Sequence, residues 1–299
     1  MTTRFWLTAF LLCLGAGWGL TQPLTKIAVT HGLEPFGMIF WQMVIGTLLT
    51  GITLLVQGKD LPINKRTIGF CLLIALIGTL IPNSAGYRAA AFLPAGIMSI
   101  VIATIPMIAF PIALILGTDW FTWRRLAGLS LGLIGVALIA LPEASLPDRA
   151  MVAILPLALI APFCYAAEGN VVAKWGTAGL DPVRLMFGAS VIGTLIAAPL
   201  AVSTGQFINP TAAFDTGRAA FALSSVIHVI VYMSYVWLIG QAGAVFAGQV
   251  SYIVTGAGVI WSMLLLDERY SLWIWAALGV MLIGIALVRP RHDDDRLMT

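Results

Sequence analysis

Charge is what this sequence has least of. Only 10% of its 299 residues are Asp, Glu, Lys or Arg, against about 25% in soluble domains, which excludes an ordinary water-facing surface. The net charge is +3, and the basic residues stand singly or in pairs. No basic stripe exists to track a phosphate backbone, so nucleic-acid binding is excluded. Cysteine is sparse too. Cys13, Cys71 and Cys164 all fall inside apolar runs, which excludes a disulfide framework or a CxxC metal pair and leaves them as expected small buried hydrophobes. HExxH and P-loop signatures are missing, and no Gly-x-Ser-x-Gly nucleophile turn appears: Gly128-Leu129-Ser130-Leu131-Gly132 has the spacing but falls inside an apolar run long enough for a helix, not at a strand-to-helix turn. Neither a metal nor a cofactor is expected, and the tail His292-Asp293-Asp294-Asp295 reads as a solvated end.

What is present is hydrocarbon: 60% of residues are hydrophobic and the mean hydropathy is +0.98. A bilayer span needs about 20 predominantly apolar residues. On that basis helices are predicted at 5–28, 36–56, 67–89, 95–117, 123–141, 151–174, 182–203, 217–240, 244–266 and 271–289. The fold class is therefore an all-α polytopic membrane protein with ten transmembrane helices. The first run continues past the small residues Gly15, Ala16 and Gly17 to Val29, so it reads as a retained helix rather than a cleaved signal peptide. Lys and Arg collect on cytoplasmic flanks. An inside N-terminus puts Arg4, Lys59, Lys65, Arg66, Arg124, Arg125, Lys174, Arg184, Arg289, Arg291 and Arg296 on one side. Only Lys26, Arg88, Arg149, Arg218 and Arg269 remain on the other. Both termini are accordingly predicted to be cytoplasmic.

A duplication runs through the chain. Gly32-Leu33-Glu34-Pro35 returns as Gly179-Leu180-Asp181-Pro182, and Val44-Ile45-Gly46-Thr47-Leu48 as Val191-Ile192-Gly193-Thr194-Leu195, both 147 residues on. Asp119 with Leu133–Leu138 matches Glu268 with Leu282–Leu287 at 149. Ordered matches at nearly one offset mark a repeat. The units are residues 1–142 and 150–290, parted by the loop Pro142–Asp148 and followed by a tail at 291–299. Five helices per unit is an odd number, so the second unit enters the membrane from the opposite side. Inverted repeats of this kind rock about a site near the midplane, which makes the chain a transporter candidate.

Polar groups at membrane depth are costly and are functional candidates by default. Glu168 is the only acid well inside a span. It either attracts a substrate ammonium or carries a proton, or it pairs with Lys174 or Lys26 and orders a helix end. His228, Tyr232 and Tyr235 follow at i, i+4 and i+7 on one face of the eighth span, suited to a planar or cationic solute or to interhelical packing. Trp18 and Gln22, next to Pro23, share a face of the first span, and Trp18 corresponds to Tyr165 in the repeat. The third span carries Asn83 and Tyr87, and the ninth Gln249 and Tyr252. Together they describe an aromatic, weakly charged cavity. Phosphorylated substrates would call for deep Lys or Arg, whereas Lys26, Arg88 and Lys174 lie towards span ends. Trp41, Trp120, Trp123, Trp175 and Trp273 read as interfacial anchors.

Gly15-Ala16-Gly17-Trp18-Gly19-Leu20, the acidic-Pro starts of spans 2 and 7, and Asp119 or Glu268 before the glycine-spaced spans 5 and 10 resemble the drug/metabolite transporter superfamily. Within it the chain is most similar to EamA-type exporters, notably the bacterial exporters of aromatic amino acids and methyl viologen. The resemblance implies residence in the bacterial inner membrane and export of aromatic and other neutral amino acids, with multidrug or cationic-metabolite export as the alternative. It further implies a cavity lined by helices 1, 3, 4, 6, 8 and 9, with helices 5 and 10 as scaffold. The expected partners are a small-molecule substrate and the bilayer, and a monomer is expected. The first span lacks the mid-membrane glutamate of the related small multidrug pumps. A channel or an intramembrane enzyme is the different-class alternative, but no filter loop is visible.

Overall fold

A computed structural model describes residues 2–118, 120–140, 146, 148–242 and 250–288. Within them the chain forms ten helices: α1 (Thr2–Thr30), α2 (Pro35–Gln57), α3 (Lys65–Phe92), α4 (Ala95–Leu116), α5 (Trp123–Ala140), α6 (Arg149–Trp175), α7 (Pro182–Ser203), α8 (Thr216–Ala242), α9 (Val250–Leu266) and α10 (Leu272–Val288). Seven are long and apolar enough to cross a bilayer, while α5, α9 and α10 are shorter apolar helices. Asp119, Gln249, most of the loop between the repeats and the tail lie outside the described residues.

The repeated Gly-Leu-acidic-Pro tetrapeptide makes the same corner twice. Gly32 and Gly179 take φ of +81° and +80°, a left-handed conformation that side chains disfavour. Each proline then occupies the start of the next helix, where its missing N–H is no loss. Asp181 adds a side-chain cap, accepting hydrogen bonds from Val183 and Arg184 N–H, which Glu34 does not.

Two helices depart from regular spans. In α3 the turn Leu76–Leu80 is π-helical, directly before Pro82. Proline has no N–H for the carbonyl four residues back and its ring crowds that carbonyl, so the ladder widens at this point. In α4 the ladder breaks between Ile102 and Ile105, ahead of Pro106, and Thr104 Oγ donates to Val101 O at 2.7 Å.

Packing follows an approximate twofold axis. The main pairs are α5 with α10, α2 with α7, α4 with α9, α1 with α8 and α9, α6 with α3 and α4, α3 with α7, and α2 with α8. Exchanging each helix with the one five places along maps this set onto itself. The repeated pentapeptides sit on the axis. A Cβ on Gly46 would lie 2.8 Å from Ser190 Oγ, and one on its repeat counterpart Gly193 would lie 2.6 Å from the sulfur of Met43, the counterpart of Ser190.

The consequence is an exchange of helices. α1 packs chiefly on α8 and α9 of the other repeat, while α6 packs on α3 and α4. The contact is close: a Cβ on Gly19 would meet Gly258 N at 2.7 Å and Val254 O at 2.9 Å. Small residues allow such backbone approach, which the bilayer itself does not drive. The helices thus do not pack by sequence half. The packed bodies are α1 with α8 and α9, and α3 with α4 and α6, each drawn from both repeats.

One local expectation changes, that for Cys13, and two side chains fix helix ends. Cys71 and Cys164 are buried, but Cys13 is exposed on α1. Trp41 is half-buried, its indole donating to Ile208 O at 2.9 Å, and so ties the segment after α7 to α2. Glu268 caps α4 by accepting from Ala95 N–H at 2.8 Å and Gly96 N–H at 3.1 Å, while Tyr270 donates to the same carboxylate. The last contact requires Gly96, since any Cβ there would collide with the Tyr270 hydroxyl.

Candidate functional site

Between the two packed bodies lies a cavity of about 300 Å³. Toward one end stands a buried cluster of Ala28, Met38 and Phe221, the first two 0% exposed, against which Tyr87 of the cavity wall and Ile208 pack. From there the cavity runs past the middle of the bundle to Leu185 and Met186 in the first turns of α7, and to Val250 and Ser251 where α9 begins. Eight of the eleven candidate residues line it: Trp18, Gln22, Asn83, Tyr87, Tyr165, Glu168, His228 and Tyr232. Tyr235 stands behind Trp18, its ring edge-on at 5.8 Å, and Tyr252 packs against the cluster around Ile97, Val259 and Ile274. Neither reaches the cavity wall. Gln249 lies outside the described residues.

The wall is not drawn only from helices 1, 3, 4, 6, 8 and 9. Helix α2 supplies Gln42, Met43 and Gly46, and α7 supplies Leu185, Met186, Ala189 and Ser190. Both cross near the twofold axis, which places them beside any central space. Helices α5 and α10 pack on each other and contribute nothing to it.

Glu168 faces a niche made for it. Gly78, in the π-turn of α3, is so close that a Cβ there would lie 2.7 Å from Glu168 Oε1 and 3.1 Å from Oε2. Neither lysine proposed as its partner is used that way. Lys26 Nζ donates to the carbonyls of Ala90 and Ala91 at the end of α3, at 2.8 and 3.1 Å, and Lys174 Nζ donates to Leu116 O at 2.7 Å. Each cation satisfies the free carbonyls at a helix C-terminus, where the dipole favours it. Among the described residues no hydrogen bond or ion pair reaches the Glu168 carboxylate. Across the cavity, His228 meets the Trp18 ring edge-on at 6.0 Å.

The opposite wall is a network. Tyr165 OH donates to Asn83 Oδ1 at 3.1 Å, Asn83 Nδ2 donates to Gln42 Oε1 at 2.8 Å, and Tyr87 OH donates to the same oxygen at 2.5 Å. This joins α2, α3 and α6. Gln42 escaped sequence reasoning because a lone glutamine in an apolar span carries no sign of which way it points. Its position four residues before Gly46, the repeated pentapeptide's glycine on the axis, would have been the only signal. Thr21 and Ser190 also line the cavity, but Thr21 Oγ is already bonded to Trp18 O at 2.6 Å.

Among the described residues no Lys or Arg lines the cavity, and no cluster of three or more His, Cys, Asp or Glu could hold a metal. The set can therefore attract one positive charge, stack or flank a ring, and donate or accept several neutral hydrogen bonds.

The family model described as the EamA-like transporter family matches residues 5–141 and 152–289, one match for each repeat. Comparison with curated proteins finds no match. A crystal structure of a protein 14% identical to this chain aligns over 96% of both chains with a TM-score of 0.60, a likeness of fold.

Proposed function

This chain belongs to the EamA-like transporter family of membrane transporters, and we propose that it exports small ammonium-bearing solutes with an aromatic or apolar body, aromatic and other neutral amino acids first among them. One observation carries this: a carboxylate, Glu168, stands without an ion pair among the described residues in a cavity walled by Trp18, Tyr87, Tyr165, His228 and Tyr232. A central acid costs roughly 2.5–3.5 kcal/mol on the insertion scale. A cationic ligand or a bound proton offsets that cost, and the surrounding rings favour an ammonium. A volume of about 300 Å³ lies at the small end of ligand pockets, suited to an amino acid rather than a nucleotide sugar.

The charge asymmetry of the connections supports cytoplasmic termini, in the inner membrane of a bacterium. With that orientation the buried cluster of Ala28, Met38 and Phe221 lies toward the outer face, and the wall residues in the first turns of α7 lie toward the cytoplasmic face, from which a substrate for export is loaded. Glu168 and His228 are the groups assigned to the substrate ammonium and to any coupled proton. A second reading, export of organic cations, is favoured by the lack of any Lys or Arg in the wall to meet a carboxylate.

The test is flux into proteoliposomes. Phenylalanine, tyrosine and leucine are expected to move with saturation and counterflow, and phosphorylated sugars are not. Transport of the sugars with no movement of, or competition by, the amino acids would overturn the assignment. Glu168→Gln and His228→Ala are each expected to lower the rate while leaving expression intact.

A further inference from the structure

The missing cation in the wall raises the question of what would meet the carboxylate of an amino acid. We infer that Gln42 reads it, its side-chain amide donating to the substrate carboxylate while Glu168 takes the ammonium, so that Gln42 decides between zwitterions and simple amines. The inference rests on the export reading above and narrows its substrate class.

Gln42 is 5% exposed and lines the cavity. Its Oε1 accepts from both Asn83 Nδ2 and Tyr87 OH. An amide whose oxygen is held by two donors has one orientation left for its nitrogen. That Nε2 makes no hydrogen bond among the described residues and is not sealed away from the cavity. An amide N–H₂ that opens on a cavity and has no protein acceptor is free to donate to one that a ligand brings. A carboxylate is the strongest acceptor a small metabolite offers, and its hydrogen bonds are charge-assisted.

The other glutamine in the wall, Gln22, does not compete on these terms. No hydrogen bond among the described residues holds its amide, so binding a carboxylate there would have to immobilise the side chain first. Gln42 is already immobilised. Asn83 is spent in a similar way, since its oxygen accepts from Tyr165 and its nitrogen serves Gln42. Gln42 and Glu168 also come from α2 and α6, so a zwitterion held at both ends would bridge a central helix and one packed body.

The experiment compares paired solutes differing only in the carboxylate: phenylalanine with phenethylamine, and tyrosine with tyramine, in proteoliposomes of the full chain. Gln42→Glu keeps the acceptor for Asn83 and Tyr87 and replaces the donor with oxygen. Gln42→Met removes both functions at similar volume. Loss of a hydrogen bond to a charged group corresponds to roughly ten- to hundredfold. Each variant is therefore expected to lower transport efficiency for the amino acid at least tenfold more than for its amine, with the larger gap for Gln42→Glu. Melting temperature in detergent is recorded alongside. Equal losses for acid and amine, with or without loss of stability, would overturn the role of Gln42, as would a wild-type protein that moves the amines alone. A wild type that moves neither member of a pair would instead overturn the export reading, and this inference with it.

Discussion

The crossing of α2 with α7 and the two walls of the cavity are governed by the same twofold axis but differ in what they preserve. At the crossing, the same contact is made twice, Gly46 against Ser190 and, at the counterpart positions, Gly193 against Met43. In the cavity, counterparts diverge. Trp18 corresponds to Tyr165, and at the same offset Thr21, with its hydroxyl bonded inside its own helix, corresponds to Glu168, with a carboxylate open to the cavity. Backbone approach tolerates little variation because a Cβ has nowhere to go. A substrate has no twofold axis, so a site that grips it at two chemically different ends must break the symmetry that the scaffold keeps.

The sharpest way to break this comparison is to exchange sides. Glu168→Gln is expected to reduce solute flux in proteoliposomes by at least about tenfold, the order of a lost charge-assisted contact. Thr21→Val, at the counterpart position, is expected to cost only about two- to threefold on the same scale. Comparable losses would mean that the chemistry, too, is symmetric. Next come the glycines on the axis: Gly46→Val and Gly193→Val are each expected to destabilise by about 1–3 kcal/mol through overpacking. Thermal unfolding in detergent should show both melting earlier by similar amounts, and an effect at one site alone would refute the twofold packing.

Gly78 sharpens the link between helix geometry and the carboxylate. Gly78→Ala is expected to displace Glu168, lowering transport several-fold and resembling a mild Glu168 variant. Gly69→Ala, in the same helix with nothing within 4 Å of an added Cβ, is expected to stabilise by about 0.5–1 kcal/mol through helix propensity. The smallest effect concerns pH. The Tyr270 hydroxyl is raised above the usual tyrosine range by burial first and then by its hydrogen bond to the Glu268 carboxylate. A group whose folded pKa is raised contributes stability below its unfolded value and loses it as pH rises toward the folded one. Melting temperature should thus fall above about pH 10, and Tyr270→Phe should flatten that fall.

Much of the scaffold was legible because its causes are local. Hydropathy over about 20 residues locates a span wherever it occurs, and Gly32 and Gly179 announce identical corners because only glycine takes a left-handed φ without strain. Of the site, the aromatic and titratable residues stood out because polar and ring-bearing groups are rare at membrane depth. Tyr235 and Tyr252 show the limit of that reasoning: spacing puts a residue on a face of its helix without saying what the face meets.

By itself, the sequence determined that this chain is a polytopic membrane protein of about ten helices and that it is duplicated in five-helix units, since each follows from the chain's own hydropathy, repeats and helix count. Only the tertiary structure decided that α1 and α6 trade places between the repeats, that Lys26 and Lys174 serve helix ends rather than Glu168, and that Gln42 belongs to the cavity. In a bilayer every apolar helix face is equally content against lipid or protein, so partners are chosen by close fit at small residues and by the few polar groups that need one another. Those choices depend on two helices at once and are written in neither alone.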